Sequence, residues 1–152
     1  LRAGVVGDED GERMAEGPTL RTTDLGGQTL VELVLAGEAV GRGTLKWQSA
    51  YGPFREAGIP EINDLWVRRE HRGLGLGRRI IAHIEGLARA AGARTIGIGF
   101  GLYADYGPAQ RLYVRLGYVP DGRGISYRDA AVVPGASIPI DDYAVLWLVK
   151  EL

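Results

Sequence analysis

Residues 61–92 constrain this chain more than any other stretch. Glu61-Ile-Asn-Asp-Leu-Trp-Val67 reads as a strand anchored by Ile62, Leu65 and Val67, with alternation that falters at Asn63 and Asp64. A polar, basic run over 68–72 follows, and then Gly73-Leu-Gly-Leu-Gly77. From Arg78 onward Ile80, Ile81, Ile84, Leu87, Ala88 and Ala91 recur at helical spacing, which predicts one apolar helix face ending at Gly92. A strand that passes through glycines into an amphipathic helix predicts a mixed α/β fold.

The glycine turn also carries chemistry. Glycines let backbone N–H groups approach an anion without side-chain clash. The helix starting there offers unpaired N–H donors and the positive end of its dipole. Arg72, Arg78 and Arg79 add full charges beside them, so a diphosphate is the natural occupant. A P-loop would need Lys-Ser/Thr after the last glycine, and none follows. A dinucleotide fingerprint would need Gly-x-Gly-x-x-Gly and an acidic residue about 20 positions on, whereas this loop reads Gly-x-Gly-x-Gly and 94–99 carries no acid.

Around this centre the pattern predicts a hairpin, with runs over 29–36 and 39–47 about Gly37-Glu38. Residues 48–60 read as a loop. Thr95-Ile-Gly-Ile-Gly-Phe100 alternates as a strand, Pro108 opens a second helix through Leu116, and Gly117 ends it. Two further strands are expected near 124–127 and 143–149. Residues 1–28 are polar and weakly periodic, and read as a loose segment with one short helix around 9–16.

Composition removes several function classes. At 152 residues the chain suits one domain over 1–152. It has no cysteine, which excludes a thiolate metal site and a thioester acyl-enzyme. His71 and His83 alone make a poor metal site, so none is expected. A net charge of -1 gives no global field for nucleic acid or an anionic membrane. No apolar run reaches the roughly 20 residues of a membrane helix and no stretch reads as a signal peptide, so a cytoplasmic location is expected.

The segment Arg72-Gly-Leu-Gly-Leu-Gly77 resembles the Arg-x-x-Gly-x-Gly coenzyme A pyrophosphate signature of the GNAT N-acetyltransferase superfamily, and 64–80 resembles the family's strand-loop-helix throughout. Ala109-Gln-Arg-Leu-Tyr-Val-Arg-Leu-Gly-Tyr118 resembles its Ala-x-x-Leu-Tyr-x-x-x-Gly-Phe/Tyr block. The resemblance implies a mostly antiparallel mixed sheet with a splayed central strand pair and flanking helices. It implies transfer of the acetyl group of acetyl-CoA to a primary amine in a ternary complex. An acyltransferase for longer acyl chains and a non-catalytic coenzyme A-binding module remain open beside it. Relatives carry a strand and a helical pair before the hairpin, for which 1–28 is short, so those elements are expected to be minimal or truncated. A homodimer is a further expectation.

Carried onto these residues, the resemblance assigns the pyrophosphate to backbone amides of Gly73, Leu74, Gly75, Leu76, Gly77 and Arg78, with Arg72 beside them. It assigns the pantetheine arm to the backbone of Leu65, Trp66 and Val67, with an N–H near Trp66 or Val67 facing the oxyanion. Tyr113 is the expected general acid and Glu61 the expected base, with Asp64 second. The position where the family often carries Asn is Tyr106, a departure from the pattern. For the amine acceptor, Trp47, Tyr51, Phe54, Tyr103, Asp105, Tyr106 and 141–143 are candidate walls.

Overall fold

A computed structural model describes residues 17–152; the short helix expected around 9–16 lies outside them. The elements are β1 (Thr19–Asp24), β2 (Gln28–Leu35), β3 (Glu38–Lys46), α1 (Gly52–Ala57), β4 (Glu61–Val67), α2 (Leu76–Ala90), β5 (Thr95–Gly101), α3 (Gly107–Arg115), β6 (Val119–Tyr127), β7 (Ala130–Ala131) and β8 (Ala144–Glu151). Single 3₁₀ turns at Arg69–His71 and Ala104–Tyr106 precede α2 and α3.

The strands form one sheet in the order β1-β2-β3-β4-β5-β8-β6-β7, antiparallel except for the central β4/β5 pair. That pair is in register only at Glu61↔Gly97 and Ile62↔Ile98, so the two strands part beyond Ile62. β4 is also bulged. Arg42 faces Trp66 and Thr44 faces Asn63, and Asp64 turns left-handed with φ 54°. The extra residue explains the broken alternation at Asn63 and Asp64.

Each face of the sheet has its own core. Ile80, Ile81, Ile84 and Ala88 of α2 are fully buried against Val31, Leu33, Leu45 and Ile62, each large side chain contributing about 2 kcal/mol. Tyr113 and Tyr118 close the same core at α3, and Tyr118 donates to the buried Glu85, which is paired with Lys150 at 2.9 Å. On the opposite face Tyr51, Phe54 and Trp147 form a separate aromatic cluster. The glycines of β5 make this possible: a Cβ on Gly97 would fall 2.1 Å from the Phe54 ring, and one on Gly99 would fall 3.0 Å from Trp147.

Two expectations need correction. Residues 48–60 contain helix α1, begun by a proline in its first turn and ended by left-handed Gly58. Residues 19–24 are strand β1, paired along its whole length with β2. It is an exposed edge, so its sequence Thr-Leu-Arg-Thr-Thr-Asp lacks the apolar alternation that marks a half-buried strand.

Candidate active site

The parting of β4 and β5 opens a cavity of about 480 Å³ in the middle of the sheet. Glu61, Asn63 and Leu65 of β4 line it together with Phe100 and Gly101 of β5, Tyr113 of α3 and Trp147 of β8. Glu61 and Tyr113, distant in sequence, therefore face one space.

Glu61 is 4% exposed. Its carboxylate accepts a hydrogen bond from Ser49 Oγ at 2.5 Å and one from Asn63 Nδ2 at 2.8 Å. Burial pushes its pKa up; Ser49, Lys46 and Asn63 oppose that rise, and Asp129 adds to it. The result is a carboxylate more basic than an exposed one, as a general base requires. Asp64, the second candidate, is exposed and ion-paired with Arg42 at 3.1 Å.

Tyr113 is 5% exposed, and burial pushes its pKa up to about 12. Its hydroxyl donates to no described residue, yet it is not among sealed, unsatisfied polar atoms, so it opens on the cavity. A phenol held protonated at neutral pH is fitted to donate a proton.

At the far end of β4 lies the glycine turn. Arg68 N–H bonds Val40 C=O across β3, and Trp66 is in register with Arg42. Alternation then turns the backbone groups of Leu65 and Val67 toward the edge that β5 has left. Trp66 is paired into the sheet, and its indole is half-exposed. Arg72 Nε donates to Val67 C=O at 2.9 Å, which draws the turn against the end of β4.

Gly73 and Gly75 are left-handed, with φ of 78° and 76°, and a Cβ on either would meet nothing within 4 Å. The space beside both glycines is therefore open to their backbone. Gly75 is the N-cap of α2; no side chain caps the helix and no acidic residue occupies its first turn. The leading N–H groups at Leu76, Gly77 and Arg78 are therefore available to an anion. Leu74 and Arg78 are exposed, whereas Leu76 packs on the core. Gly77 serves packing: a Cβ there would lie 3.4 Å from Leu112 of α3.

The acceptor walls divide. Tyr106, Asp142 and Tyr143 line the cavity. Tyr103 and Tyr106 both donate to Asp142, and the Tyr106 ring occupies the space a Cβ on Gly101 would need. Trp47 instead packs on the main core with its indole N–H on Thr29, while Tyr51 and Phe54 are buried behind Trp147. Asp105 stays outside the cavity lining. His83 bonds Thr22 of β1 at 3.0 Å. Ser49, Lys46, Arg128 and Asp129 are site residues without a sequence signal: Ser49 lies in a segment read as loop, and Arg-Asp is not a recognised turn pair.

The model of the Acetyltransferase (GNAT) family matches residues 7–118, which include β4, the glycine turn, α2 and α3. Among solved structures, a GNAT family acetyltransferase from Elizabethkingia anophelis with acetyl-CoA bound is similar at a TM-score of 0.65 and 15% identity, over 90% of this chain and 99% of that one. A Klebsiella pneumoniae chain described as an acyl-CoA N-acyltransferase is similar at 0.59 and 24% identity, over 83% and 73%. The ribosomal-protein-alanine N-acetyltransferase of Brucella melitensis is similar at 0.58 and 19% identity, over 83% and 70%. No curated protein matches the chain in sequence. The family match takes in β4, the glycine turn, α2 and α3, and this chain belongs to the GNAT acetyltransferase family.

Proposed function

We propose that this chain transfers the acetyl group of acetyl-CoA to a primary amine by direct attack in a ternary complex, with Glu61 as base and Tyr113 as acid. One observation carries the reading: Glu61 and Tyr113 line a single cavity at the point where β4 and β5 part, and β4 leads from it to the glycine turn.

Acetyl-CoA supplies an activated thioester, whose C–S bond breaks as the amine nitrogen bonds the carbonyl carbon. The rest is the work of this chain. Backbone N–H groups from Gly73 to Arg78 hold the pyrophosphate, with Arg72 and Arg78 adding charge. The outward backbone groups of Leu65 and Val67 pair with the pantetheine amides as a neighbouring strand would. Glu61 takes the proton that the amine must lose, and Tyr113 gives one to the departing thiolate. Neither the carboxylate nor the phenol forms a covalent intermediate, and the chain has no cysteine to form a thioester.

The first test is the thermal midpoint with acetyl-CoA, against NAD and ATP. Binding to the native state alone adds about 2.7 kcal/mol at a hundredfold excess over Kd. Stabilisation by acetyl-CoA only, followed by amine-dependent release of free thiol, supports the reading. Stabilisation without thiol release from any amine leaves a coenzyme A-binding module, and stabilisation by NAD or ATP instead overturns it.

A further inference from the structure

We propose that the acceptor is amino-acid-like, a primary amine with a carboxylate close to it, and that Arg128 binds that carboxylate. The inference rests on the N-acetyltransferase reading and adds the substrate class.

Its starting point is the turn between β6 and β7. Arg128 and Asp129 both have left-handed backbones, with φ of 49° and 65°. Gly, Asn and Asp occupy such two-residue turns cheaply, whereas an arginine pays about 1–2 kcal/mol. Two charged residues are held there, and both line the cavity.

Arg128 is held ready. Its guanidinium carbon lies 4.2 Å from the centroid of the Tyr143 ring and 5.8 Å from that of Tyr127. Its backbone N–H bonds Tyr143 C=O at 3.1 Å. Asp141 braces both rings, accepting from the Tyr127 hydroxyl and from the Tyr143 backbone N–H. Stacked in this way the guanidinium keeps its N–H edge for a planar anion. Among the described residues it has no carboxylate partner.

The remaining charges on the wall select the ligand. Asp64 is paired with Arg42, whereas both tyrosine hydroxyls bond a single oxygen of Asp142, which keeps its charge. Glu61, Asp129 and Asp142 are left to receive an amine, with Lys46 beside Glu61. A polyamine or amino sugar would bring its further positive charges against Arg128 and Lys46. An amine with an adjacent carboxylate satisfies both signs.

The test uses the full chain with acetyl-CoA and reads kcat/KM from thiol release. Each common L-amino acid is compared with the amine that its decarboxylation leaves. At least one amino acid should exceed its amine by roughly tenfold or more, and Arg128→Asn should shrink that preference by about 10- to 100-fold, as loss of a charged hydrogen bond does. Asn suits the left-handed position, and an unchanged thermal shift with acetyl-CoA verifies that the variant is folded. Decarboxylated amines preferred throughout, or a preference that Arg128→Asn leaves intact, would overturn the inference and leave the acetyltransferase reading standing. Turnover of neither class also overturns it; if acetyl-CoA then fails to stabilise the protein, the parent reading falls too.

Discussion

Ser49 holds Glu61: its hydroxyl donates to the carboxylate at 2.5 Å, and both side chains are buried. The same Ser49 oxygen accepts the Tyr51 backbone N–H at 3.0 Å, which fixes the hydroxyl rotor so that its proton points at Glu61. The bond lowers a pKa that burial raises. Ser49→Ala therefore moves Glu61 further up. The acid limb of kcat/KM against pH should shift to higher pH, and the fold should lose about 1–3 kcal/mol from a buried hydrogen bond to a charge. A limb that stays in place would show that Glu61 is not the base.

Glu61→Gln separates catalysis from stability. Thiol release should fall by about 10²- to 10⁴-fold. For stability the sign follows from the raised pKa: the native state binds this proton more tightly than the unfolded state does. The contribution is complete below the unfolded carboxylate pKa and is lost as pH rises through the higher native value. Against wild type, Glu61→Gln should gain in relative thermal midpoint as pH climbs through that window. A difference that runs the other way with pH would contradict the buried-carboxylate account.

Tyr113→Phe removes a hydroxyl that no described residue uses. Stability should change by less than about 1 kcal/mol, the range of an unburdened polar deletion. Stabilisation by acetyl-CoA should persist while turnover drops about a hundredfold, the scale of a lost general acid. Unchanged turnover would take Tyr113 out of the mechanism.

Two glycines should fail in different ways. Gly75→Ala meets no atom within 4 Å but must keep φ near 76°. It should cost about 1–2 kcal/mol in backbone strain and weaken acetyl-CoA binding as well. Gly97→Ala drives a Cβ into the buried Phe54 ring at 2.1 Å. It should cost about 1–3 kcal/mol or more by overpacking and act on urea midpoint before it acts on ligand affinity. Equal effects of both on the acetyl-CoA shift would argue against an anion site at the turn.

The glycine turn and helices α2 and α3 could be read from local chemistry. Helical spacing from Ile80 to Ala88, the glycines at 73, 75 and 77, and Pro108 with Gly117 act through neighbours a few residues away, so their meaning survives without the fold. The parting of β4 from β5 was expected from resemblance and is seen in a register that stops at Ile62. Strand β1 could not be read, because an exposed edge needs no apolar pattern and takes its register from β2.

What only the tertiary structure decided was which charges meet. Trp47, Tyr51 and Phe54 looked like pocket walls because they are aromatic, and packing took all of them into cores. Ser49, Arg128 and Asp129 carry no signature, yet the fold delivers Ser49 to the Glu61 carboxylate and Arg128 and Asp129 to the cavity that Glu61 and Tyr113 line. Periodicity and turn chemistry are set within a few residues, whereas burial, strand register and electrostatic neighbours depend on the path of the whole chain. The elements that frame the cavity could therefore be named from sequence, and the side chains that meet around Glu61 could not.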